Sequence, residues 1–129
     1  MTTLAKLSIP ARFNGPDNSA NGGYASGLVA TQVDYPVRVR LHYPPPLDKP
    51  LTLQQDAEQK LQLLHGERLI ASAQPYDFQL VVPDSIDLAK AETVSKEYVG
   101  FQADNPFTGC FVCGTTRPKK DGLKIYAGH

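Results

Sequence analysis

Hydrophobic and polar positions alternate through much of this chain, and the alternation is interrupted once by a stretch with no polar side at all. Leu7, Ile9, Ala11 and Phe13 fall on one side of a period-two pattern, with Ser8 and Arg12 on the other. That spacing predicts a strand over 7–13, placed toward an edge by Pro10. Residues 14–20 (NGPDNSA) have the composition of a loop. From Asn18 to Val33 no charged residue occurs. A helix over 21–33 without a polar stripe has to be wrapped by other elements. Asn21 serves as its N-cap, Gly22 and Gly23 open its first turn, and Asp34-Tyr35-Pro36 ends it.

Alternation then returns. Val37, Val39 and Leu41 face away from Arg38, Arg40 and His42, as in a half-exposed strand. Tyr43 to Leu47, with three prolines, is a rigid connection. Leu51 to Leu64 carries good helix formers, yet Leu51/Leu53 and Leu61/Leu63 alternate. With a turn at His65-Gly66-Glu67, the pattern predicts two long antiparallel strands over 51–64 and 68–80. Pro83-Asp84-Ser85 signals a second helix over 85–98, amphipathic through Ile86, Ala89, Val94 and Tyr98, with Gly100 ending it. Residues 101–122 read as loop, and 123–126 as a short closing strand. The expected class is α+β: a curled antiparallel sheet wrapped around one buried helix, with a second amphipathic helix. Such a sheet keeps an open edge, so a second copy or domain is expected against it.

Composition narrows the function classes. The 129 residues hold 13 Lys+Arg and 13 Asp+Glu, a formal net charge of zero. No basic block exists for nucleic acid or anionic membrane. No apolar run is long enough to span a bilayer, and the N-terminal residues lack the apolar core of a signal peptide. With two cysteines and no secretion signal, a reducing cytoplasm is the default expectation.

Two segments resemble a known family. NSANGGYASGLVA (18–30) resembles the "HGG" segment of hotdog-fold acyl-CoA thioesterases of the phenylacetate-pathway and 4-hydroxybenzoyl-CoA type, in the variants that read "GGY". CFVCGTTRPKKDGLKIYAG (110–128) is similar to the opening of a further hotdog unit in that superfamily. The resemblance implies a hotdog domain over 1–100. It also implies that 101–129 begins a second unit, as in the N-terminal half of a double-hotdog protein. It implies an acyl-CoA thioesterase, active as a homodimer or higher oligomer and without a resident cofactor.

Thioester hydrolysis builds negative charge on the carbonyl oxygen, and free first-turn N–H groups of a helix can receive it. By the resemblance, Gly22 and Gly23 supply that site and Asn21 stands where the family has His. Tyr24 would line the acyl pocket. The family's acid, nine positions after the His, has no counterpart: Ala30 stands there. Asp17 is the nearest acid and the candidate base, although Pro16-Asp17-Asn18 also suits a turn. A base from another unit, or a non-catalytic domain that only dimerises or binds ligand, is the other reading.

Arg117, Lys119 and Lys120 are candidates for the phosphates of coenzyme A, or a solvated loop. Cys110 and Cys113 have the spacing of half a zinc site, but a structural site needs four ligands and His42, His65 and His129 are scattered. Redox chemistry and plain loop packing are the alternatives for the pair. A small zinc-binding interaction protein is the reading from another class.

Overall fold

The computed structural model describes residues 1–128. Five strands form one antiparallel sheet: β1 (Thr2–Leu7), β2 (Val37–Leu41), β3 (Leu51–Gln55), β4 (Leu61–His65) and β5 (Arg68–Pro75), in the spatial order β1-β3-β4-β5-β2. Helix α1 (Gly22–Ala30) lies between β1 and β2 in the chain, and α2 (Leu88–Ser95) follows the sheet. The molecule is α+β, as the alternation implied.

The core lies between the sheet and α1. Leu51 and Leu53 of β3, Leu61 and Leu63 of β4, and Ala71 and Ala73 of β5 bury one face against Ala25 and Val29 of the helix. Leu53↔Leu63 and Leu61↔Ala73 are direct cross-strand partners, so the alternation stays in phase across three strands. A bulge after Leu63 inserts Ile70, which is buried, and its carbonyl accepts from His42 N at 2.8 Å and Tyr43 N at 3.3 Å.

Several boundaries move. The first strand is Thr2–Leu7 rather than 7–13. Pro10 holds φ −58°, ψ 144°, and residues 11–13 close a 3-10 turn through Phe13 N to Pro10 O at 3.0 Å. The 51–64 run is two strands, not one. Asp56 folds 56–60 into a hairpin loop by accepting from Glu58 N and Lys60 N, with Gln59 at φ 63°. The 65–68 turn stands where predicted, with His65 opposite Arg68 and Gly66 at φ 58°.

The helix is shorter than 21–33 and is not wrapped. It ends at Ala30, where Thr31 Oγ1 and Gln32 Nε2 both donate to Leu28 O. Only Ala25 and Val29 are buried, while Gly23 and Gly27 face outward. The absence of charge on α1 therefore reflects small residues on an open side as much as burial.

The second helix is Leu88–Ser95 rather than 85–98, capped by Asp87, whose Oδ1 accepts from Lys90 N at 2.7 Å. It has no buried residue. The strand predicted over 123–126 does not join the sheet. Leu123 N and Ile125 N instead bond Phe111 O and Val112 O at 2.8 and 2.9 Å. His129 lies outside the described residues. No helix among the described residues is long and apolar enough to cross a membrane.

Candidate functional site

The N-terminus of α1 is built from both ends of the chain. The loop before it closes through Gly15 N to Ser19 O at 3.0 Å and Asn21 N to Phe13 O at 2.8 Å. Asn21 caps the helix, with Oδ1 accepting from Tyr24 N at 3.0 Å, and its Nδ2 faces Cys110 Sγ at 3.8 Å. The amides of Gly22 and Gly23 belong to the first turn, which has no intrahelical acceptor for them. A side chain at Gly22 would place Cβ 3.1 Å from Leu41 Cδ1, and one at Gly23 would sit 3.2 Å from Asn21 Oδ1.

An open groove of about 940 Å³ follows this end of the helix and the free edge of the sheet. Gly22, Gly23 and Ser26 line it from α1, and Val39 and Leu41 from the inner face of β2. Arg38, Arg40 and His42 line it from the outer face. Leu41 is exposed, and it sits directly beside Gly22. The groove thus joins two free peptide N–H groups to an apolar strand edge and a cationic rim. That combination suits a ligand with a polarised carbonyl, an apolar portion and negative charge.

Other expected site residues lie elsewhere. Tyr24 points away from the groove and stacks on Phe13 with ring centroids 4.1 Å apart; Phe111 meets Phe13 edge-on at 4.9 Å. Tyr24 is therefore part of the seam between α1 and the C-terminal segment. Asp17 is exposed in the loop beside Gly109, outside the groove lining.

Arg117 is enclosed rather than offered to solvent, its side chain only 9% exposed. Its Nη1 donates to Asn14 Oδ1 and Gly109 O, both at 2.8 Å, and its Nη2 to Arg12 O at 2.8 Å. Asp121 pairs with it at 3.0 Å and with Arg12 at 3.0 Å. Burial pushes the Asp121 carboxyl up, but these two guanidinium groups outweigh it and hold the pKa below the ordinary value. Nε of Arg117 is buried without a partner among the described residues. Lys119 and Lys120 are exposed on the adjoining loop and do not line the groove.

Cys110 and Cys113 are both free thiols on one tight turn closed by Gly114 N to Cys110 O at 2.7 Å. Any side chain at Gly114 would meet Cys110 O at 2.4 Å, so glycine is required there. Burial pushes the Cys110 thiol up. The N–H groups of Cys113 and Val112, the Cys113 thiol and Asn21 together outweigh it and lower the pKa. A hydrogen bond to Cys113, with burial and the nearby sulfurs, raises Tyr98 to about 12. Among the described residues no three His, Cys, Asp or Glu side chains gather in a metal-binding group. Cys110 and Cys113 stand as a pair within their turn.

One pair escaped the sequence reading. His42 Nε2 lies 2.8 Å from Ser72 Oγ across β2 and β5. The partners are 30 residues apart, and no local spacing signals the contact. Ser72 alternates with buried Ala71 and Ala73 and so faces the side of the sheet away from α1. Ser72 and His42 nonetheless line the same open groove as Gly22 and Gly23, from the other side of the strand edge. Comparison with family models, with curated proteins and with solved structures finds no match to this chain.

Proposed function

We propose that this chain is a hotdog-type unit that binds an acyl thioester, of the acyl-CoA class, at the N-terminus of α1, and that it works as a homodimer. The observation that carries the reading is the pair of unpartnered Gly22 and Gly23 amides at the head of a charge-free helix, opening onto Leu41 and Val39. A thioester oxygen placed on those amides gains two N–H donors and the positive end of the helix. The acyl chain follows the apolar edge of β2, and the negative phosphates of the carrier meet Arg38 and Arg40. This moves phosphate recognition from Arg117, whose Nη donors are occupied, to the rim of the groove. A helix laid on one face of a five-stranded antiparallel sheet also supports the hotdog reading.

Hydrolysis requires a base within reach of the attacking water. Asp17 lies outside the groove and α1 holds no acid. The carboxylate of Asp56 and the imidazole of His42 do line the groove, so turnover depends on one of these or on a base brought by another copy.

The test is calorimetric titration with acyl-CoA esters of graded chain length, alongside a thiol-release assay. Binding that strengthens with chain length and weakens at least tenfold in Gly22→Leu supports the reading. Asn21→Ala, which frees Tyr24 N and loosens the cap, should weaken binding less and cost about 1 kcal/mol of stability. Neither binding nor thiol release with any ester overturns it.

A further inference from the structure

The segment joining the sheet to α2 is the least covered part of the chain. Every residue from 74 to 90 is exposed, and Leu80, Val81 and Val82 are 76%, 96% and 83% exposed. The backbone of residues 77–82 makes no hydrogen bond among the described residues, and the six contain no proline. Residues 76–88 carry three aspartates, Asp77, Asp84 and Asp87, and no Lys or Arg. This is an apolar, acidic arm with unpaired peptide groups.

The sheet offers a matching surface. Its edges are β1 and β2. A bulge between Thr3 and Ala5 interrupts β1, whereas β2 pairs in unbroken register with β5 and keeps its other side open. Bulged edges resist added strands and straight ones invite them. β2 presents Val37, Val39 and Leu41 toward the helix side and Arg38 and Arg40 on the opposite face, with no acid between 37 and 42. Beside it, the outward Gly27 of α1 has nothing within 4 Å of a would-be Cβ.

We propose that the arm of one copy adds as a strand to the β2 edge of a second copy, reciprocally, so that two chains exchange arms. Phe78, Leu80 and Val82 then extend the inner face of the sheet over the flank of α1, and Asp77, on the other face of the arm, lies near Arg38 and Arg40. Strand addition satisfies both sets of peptide groups. Direct β2-to-β2 pairing is the competing arrangement. Centred on Val39, it sets Arg38 against the second copy's Arg40 on both sides, and like charges directly opposite destabilise a strand pair. The arm removes that repulsion and replaces it with attraction.

This deepens the homodimer part of the proposed function, and the experiment separates the two. Light scattering and sedimentation would be run on the full chain and on two charge-reversed forms, Arg38→Glu/Arg40→Glu and Asp77→Lys. All three positions are exposed, and unfolding curves would verify that each form is folded. Each form alone should dissociate at least tenfold more readily than the parent, and an equimolar mixture should recover the parent's dimer. A parent that stays monomeric overturns both the homodimer and the arm. A dimer that Asp77→Lys leaves intact, or that Arg38→Glu/Arg40→Glu tightens, overturns the arm alone and favours direct β2 pairing.

Discussion

The sheet with α1 and the C-terminal segment are held by different physics. Residues 51–73 contribute seven buried apolar side chains to one contiguous core, and nothing polar is buried with them. The segment from 107 to 128 buries only Cys110 among its hydrophobic residues. It is fastened by the fork of Arg117, by the peptide bonds of Phe111, Leu123 and Ile125, and by an aromatic group in which Tyr98 and Tyr126 stack at 5.4 Å. The first region gains from area removed from water, which tolerates imprecision. The second gains from directed bonds that fail when one partner is lost. The head of α1 sits where the two meet, so the candidate site depends on both.

The sharpest way to separate the regions is to damage each in turn. Leu53→Ala removes a side chain with no exposure, opposite Leu63, and should cost about 2–5 kcal/mol in denaturant unfolding. Both regions should then melt together, since the tail has no core of its own. A loss below 1 kcal/mol would mean that the sheet is not the dominant core.

Arg117→Ala comes next. It deletes a nearly buried cation with four protein partners and should make opening of the tail easier by about 3 kcal/mol. Hydrogen exchange should rise at Phe111, Leu123 and Ile125 while Leu53 and Leu63 keep their protection. Uniform loss of protection would show that the regions form a single cooperative unit.

The smallest effect is alkaline. Tyr98 should titrate near 12 while an ordinary tyrosine titrates near 10. Its phenol stays protonated in the folded chain at pH values where the unfolded chain has released the proton. Stability that depends on this group is therefore intact below pH 10 and lost as pH rises toward 12. Phenolate absorbance should show one delayed step that Tyr98→Phe abolishes. Six tyrosines titrating together would remove Tyr98 from the fastening of the tail.

What could be read from the residues follows the same division. The Val37–Leu41 strand, the turn at Gly66 and the Asn21 cap were legible because local alternation, a glycine and an Asn before a glycine pair carry them. The hairpin at 56–60 was not, because its left-handed residue is Gln59 rather than glycine. Strand β1 was missed because its outward positions begin Thr-Thr-Leu and give no clean period. The placement of Arg117 had no local signal. Its acceptors, Asn14 Oδ1 and Arg12 O, lie 103 and 105 residues away, so a cationic run read as a phosphate grip. The hotdog likeness came from short segments, and the architecture adds the sheet and the position of the helix without naming the family.

The tether between Arg117 and residues 12–14 also imposes an order in time. Hairpins β3–β4 and β4–β5 close over a few residues and can form early, whereas the Arg117 contacts close a loop of more than a hundred. The head of α1 is thus present before the residues that wall one side of it. A chain emerging from synthesis carries an unfinished, more accessible helix terminus until residues 107–128 arrive. The interval offers a window in which a ligand or a second chain can enter before the tail docks.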